Sequence, residues 1–89
     1  MEEQFLNIEV EDTYEAAFYL LYGAEIVGVR TRPIRRKKDV FNVWVVRMEY
    51  VPYKRIKQWK ENLASANLKD FKYARLKVKR MICNLLLER

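Results

Sequence analysis

Histidine is absent from this 89-residue chain, and cysteine and serine occur once each, as Cys83 and Ser65. Loss of histidine removes the commonest general base and the usual zinc or transition-metal ligand. It also rules out a histidine-dependent nucleophilic triad. One cysteine cannot build a thiolate metal cluster. Glycine stands only at positions 23 and 28, too few for a glycine-rich phosphate loop. Half the carboxylates cluster before residue 16, on an expected edge strand and at a helix start, where they have ordinary electrostatic roles. A non-enzymatic protein is expected, with no catalytic residue, no metal ligand, no cofactor and no small-molecule substrate.

Other absences bound its surroundings. A lone cysteine forms no internal disulfide, which fits a reducing cytoplasm. Its helical, apolar context suggests a small core or interface residue. The acidic N-terminus does not read as a secretory signal. Uninterrupted apolar runs, such as Val43 to Val46 and Leu85 to Leu87, are far short of the roughly 20 residues that span a bilayer. Nor does a strongly amphipathic helix combine bulky apolar and basic faces at a free terminus, as membrane-surface helices do. The expectation is a cytoplasmic protein with no membrane partner.

Lysine and arginine are missing from residues 1–29, which hold Glu2, Glu3, Glu9, Glu11, Asp12, Glu15 and Glu25. All 18 basic residues follow, giving a net charge of +6 and an isoelectric point near 9.6. Six fall within nine positions: Arg30, Arg32, Arg35, Arg36, Lys37 and Lys38. An acidic first third and a basic remainder either neutralise each other in the fold or turn the basic part toward a polyanion.

What is present suffices for one small domain spanning residues 1–89. Half the residues are hydrophobic and 13% aromatic, enough for a core and against disorder. A chain of this length buries only about 60–65% of its unfolded surface, so stability is modest unless a partner adds to the core. Phe5 to Val10 alternates loosely and reads as an edge strand. Asp12 and Glu15 have capping-box spacing, predicting a helix from Thr13 to Tyr22 that Gly23 stops. Tyr14, Ala17, Phe18 and Leu21 form one apolar stripe there, with Ala16 and Leu20 on another side. Ala24 to Arg32 reads as a strand, its Gly28 marking a bulge or a close approach by the first helix. Pro33 ends it. Asp39 to Tyr50 is the strongest strand, apolar on both faces at its centre, which predicts an inner strand or one covered on both sides. The two strands imply a hairpin whose tip is Pro33 to Lys38.

Pro52 suits the first turn of a second helix, running to about Ser65 with Ile56, Trp59 and Leu63 buried. After a break at Ala66-Asn67 a third helix runs from about Leu68 to Glu88. Leu68, Phe71, Ala74, Val78, Met81, Ile82 and Leu85 keep helical spacing and should face the core. The expected fold class is α+β: a small antiparallel sheet, a hairpin plus an edge strand, packed against three helices in the order β-α-β-β-α-α.

Two functional readings follow. In the first, the protein is a nucleic-acid-binding module that uses the basic hairpin, because clustered Arg and Lys on a scaffold suit phosphates and a two-stranded ribbon can enter a groove. Lys72, Arg75 and Lys79 form a second basic line on the third helix. The aromatics are spaced as core residues, and stacking carries no weight. In the second, the protein is an interaction or assembly module. Leu76, Cys83 and Leu87 lie roughly opposite the core stripe of the third helix and suit a homodimer contact, unless that helix is sandwiched within one chain.

The stretch Asp12-Thr-Tyr14-Glu-Ala16-Ala17-Phe18-Tyr19-Leu20-Leu21-Tyr22-Gly23, followed by Ile26-Val-Gly28-Val, resembles domain of unknown function 5659, a family of small microbial and phage domains. Its members look like D-x-Y-x-A-A-x-L with a glycine at this distance, then a strand, then a strand with an F-x-F-like pattern, here Phe41-Asn-Val43. The lysine- and leucine-rich helix from Tyr73 to Leu86 also matches. Tyr19 departs from the usual leucine, and the Pro33–Lys38 connection is more basic than typical. The resemblance implies an architecture and no site residues.

Overall fold

Asp12 opens the first helix: its backbone is extended and its carboxylate accepts a 2.8 Å hydrogen bond from the Tyr14 amide. Glu15 does not close the capping box. It accepts a 2.6 Å hydrogen bond from the Tyr19 hydroxyl one turn further on. Gly23, at φ 93°, ends the segment as expected: the Ala24 amide reaches Tyr19 O and the Gly23 amide reaches Leu20 O. The computed structural model describes the backbone of residues 3–87 and the side chains of residues 3–85.

The elements are β1 (Phe5–Val10), α1 (Thr13–Leu20), β2 (Glu25–Arg36), β3 (Asp39–Pro52), α2 (Tyr53–Lys60) and α3 (Leu68–Leu87). The order is β-α-β-β-α-α, an α+β fold with one antiparallel sheet of strand order β1-β3-β2. β3 is therefore the inner strand. The core joins Val10, Ile26, Val29, Val46, Met48 and Val51 of the sheet to Ala17, Phe18 and Tyr19 of α1, Ile56 of α2 and Ala74, Val78 and Ile82 of α3. Those strand residues share one face, so the helices form a single layer against it. Phe18 is the hub, with ring centroids 5.3 Å from Tyr22 and 5.7 Å from Trp59.

Several boundaries differ from the sequence-based expectation, each for a local reason. Pro33 does not end β2, which continues to Arg36 with Pro33 opposite Asn42. β2 is an edge strand, where proline is tolerated because an outward N–H makes no ladder bond. The tip is thus only Lys37-Lys38, with Lys37 in the left-handed region at φ 55°. Gly28 adjoins a bulge between Ile26 and Gly28, and a Cβ placed there would meet the Arg47 side chain at 3.7 Å rather than the first helix. Pro52 is the last residue of β3 and precedes α2. That helix stops at Lys60, well short of Ser65, because Asn62 adopts φ 58°. The Leu63 amide then bonds Gln58 O at 2.8 Å and the Asn62 amide Trp59 O at 3.1 Å, a Schellman ending with asparagine in the glycine position.

Core membership shifts accordingly. Leu63 lies beyond the end of α2 and is exposed, and Leu68, in the first turn of α3, is exposed too. Tyr14 is half exposed, flanked by Phe71 and Arg75 rather than sunk in the core. Ala74, Val78 and Ile82 are buried, with Phe71, Met81 and Leu85 packed against them.

Candidate functional site

The long hairpin outruns its support. β1 ends with Val10 opposite Val46, whereas β2 and β3 stay paired through seven more rows, from Arg30–Val45 to Arg36–Asp39. At about 3.3 Å per residue this two-stranded ribbon projects roughly 20 Å past the third strand. It accounts for the elongated shape, 47 Å by 30 Å by 26 Å. No core residue comes from positions 30–44.

Pairing register sorts its side chains. Directly opposed residues share a face, and successive residues alternate. Thr31–Trp44, Pro33–Asn42 and Arg35–Val40 continue the helix-bearing face. Arg30–Val45, Arg32–Val43, Ile34–Phe41 and Arg36–Asp39 continue the opposite, open face. Val40 is 63% exposed, Phe41 53% and Trp44 42%. Of the two alternatives for this strand, the inner position holds, whereas cover on both faces, and with it the placing of its aromatics in the core, is corrected for its first half. A strand of 14 residues paired to a six-residue β1 has more apolar length than one helical layer covers.

The six basic residues of the hairpin divide into two sets. Arg30 Nε lies 2.6 Å from Glu9 Oε2, and Arg32 directs Nε and Nη2 to Glu11 Oε1. Because β3 lies between β2 and β1, both arginine side chains must cross over it. Val45, opposite Arg30 on this face, is only 2% exposed. Arg35, Arg36, Lys37 and Lys38 are all exposed, and among the described residues none has a carboxylate within ion-pair distance. Of these six, the four without an ion pair fall in the last two rows and the turn, where Asp39 is the one carboxylate.

The line on α3 is a separate feature. Lys72 and Lys79 are exposed. Arg75 is drawn inward, its guanidinium 4.2 Å over the Tyr14 ring and its Nε buried without a hydrogen-bond partner among the described residues. No described hydrogen bond or ion pair joins this line to the ribbon. Of the candidate interface residues, Leu76 is 52% exposed and Cys83 is exposed, so Cys83 is not a core residue. The Leu87 side chain lies outside the described residues. Leu76 sits between Lys72 and Lys79, and with them and Arg75 lines one shallow depression.

Among the described residues no group of three or more acids and cysteines is placed to hold a metal ion, and no helix is long and apolar enough to cross a membrane. No family model, curated protein or solved structure matches the chain. The resemblance to domain of unknown function 5659 therefore rests on the quoted residues alone.

Proposed function

We propose that the protein is a non-enzymatic nucleic-acid-binding module and that the distal ribbon is its contact element. The observation that carries this reading is the projection of four basic residues outside any described ion pair, Arg35, Arg36, Lys37 and Lys38, against the single carboxylate of Asp39, on a ribbon that contributes nothing to the core. Nucleic acid offers closely spaced phosphates, and neutralising them releases counterions, which rewards clustered rather than dispersed charge. A two-stranded ribbon is narrow enough for a groove about 12 Å wide. Arg30 and Arg32 contribute only when phosphate displaces Glu9 and Glu11. Lys72 and Lys79 provide a weaker, separate attraction.

The test is a binding titration with mixed nucleic acids at two salt concentrations. About four phosphate contacts give a log–log slope of roughly −3 to −4 on duplex DNA. Replacing Arg35, Arg36, Lys37 and Lys38 together by glutamine removes most of it. Absence of binding at low salt rejects the reading.

A homodimer through α3 is the second reading, favoured by the exposure of Leu76 and Cys83. Lys72 and Lys79 flank Leu76 one turn away on either side, so a second α3 laid along this line meets like charge. Sedimentation of the wild type beside Leu76→Glu decides it: a dimer dissociated by the substitution supports assembly, and a monomer in both rejects it.

A further inference from the structure

We infer that the strand this ribbon takes is unpaired, and that Phe41 on the open face is the platform on which a base stacks. This rests on the nucleic-acid reading above. Phe41 stands opposite Ile34, with the Arg32–Val43 row on one side and the Arg36–Asp39 row on the other. On its own strand Phe41 is flanked by Val43 and Asp39, and Arg32 and Arg36 lie diagonally across on β2, so an apolar ring 53% exposed is set on the ladder within reach of two arginines and beside one carboxylate. Its face continues the helix-free side of the sheet, so a chain laid along it meets no steric block from α1, α2 or α3. In a duplex the base faces are already stacked on one another, and such a ligand leaves Phe41 with nothing to cover it. An unpaired strand presents both base faces and phosphates, and pairs aromatic stacking with cationic flanks. Arg36, opposite Asp39 but in no described ion pair with it, takes a phosphate directly, whereas Arg32 exchanges Glu11 for one.

Trp44 provides an internal comparison. It shares its face with Thr31 and the core residue Val46, so it lies on the far side of the ribbon from Phe41. A strand bound along the open face does not reach it.

The experiment measures affinity for a twelve-nucleotide oligothymidylate and for the same oligomer annealed to oligoadenylate, at one fixed salt concentration. The proteins are wild type, Phe41→Ala, Trp44→Ala and the fourfold tip variant. Phe41 is outside the core, so its truncation leaves the fold intact, which circular dichroism checks. The single strand is expected to bind more tightly than the duplex. Phe41→Ala weakens it roughly tenfold, as loss of one base–aromatic stack does, with the salt slope and duplex affinity unchanged. Trp44→Ala has a smaller effect. Preference for the duplex, or single-strand affinity insensitive to Phe41→Ala, overturns this inference. If the fourfold variant still abolishes binding in that case, the broader nucleic-acid reading survives. Failure of both oligomers to bind wild type overturns the two together and points the ribbon toward an acidic protein surface.

Discussion

Tyr50 adopts φ 59° within β3, where the β1 register slips between Leu6 and Ile8. A bulky residue in the left-handed region costs about 1–2 kcal/mol, and glycine avoids it. Tyr50→Gly is expected to raise unfolding free energy by about 0.5–1 kcal/mol after the extra chain entropy of glycine is counted, measured as a higher denaturant midpoint with unchanged slope. Tyr19 makes a different prediction. Burial first, then its hydrogen bond to Glu15 and the charge of that carboxylate, raise its pKa well above the ordinary 10.0. Folded Tyr19 keeps a proton that the unfolded chain releases, so its contribution is fully present below pH 10 and is lost as pH rises further. The difference in stability between wild type and Tyr19→Phe should be flat below that value and shrink above it, by at most about 1.4 kcal/mol per pH unit. A difference that stays constant into the alkaline range contradicts the assignment.

At the scale of elements, Glu9 and Glu11 hold two of the hairpin's arginines across β3. Each pair is nearly half exposed and is worth under about 1 kcal/mol. Replacing both acids by glutamine should therefore cost little stability, yet free Arg30 and Arg32 for phosphate. The expected readout is tighter nucleic-acid binding with a slope steeper by up to about 1.5, whereas Glu61→Gln on the C-cap of α2 leaves the slope unchanged. The order of elements was legible because Asp12 and Gly23 punctuate α1 and the valine-rich run of β3 is unmistakable. The ends were harder. Asn62 and Lys37 take left-handed turn positions that glycine signals more clearly, and Pro33 misleads unless β2 is known to be an edge strand. The basic cluster was visible in the sequence, but its division into paired and unpaired charges was not. Glu9 and Arg30 are 21 residues apart, and only the strand order brings them together.

The whole molecule is a helix-covered sheet with a ribbon attached, and the two parts should separate. Arg30–Val45 and Arg36–Asp39 are even numbers of rows apart and so offer the same pairing type to a turn. Excising residues 31–44 and joining Arg30 to Val45 through Asn-Gly should keep the register. Unfolding free energy is expected to fall by no more than about 1 kcal/mol, the value of the lost Arg32–Glu11 pair, while nucleic-acid binding disappears. A collapse of the fold would show that the ribbon supports the core. The exposed aromatics of the ribbon were hidden from sequence patterning because an apolar strand reads alike whether or not its neighbours are long enough to cover it. The most direct test of the account is the salt dependence of single-strand binding for wild type and for the variant with Arg35, Arg36, Lys37 and Lys38 all changed to glutamine. About four phosphate contacts predict a wild-type log–log slope near −3 and a nearly flat line for the variant; equal slopes in the two proteins would contradict it.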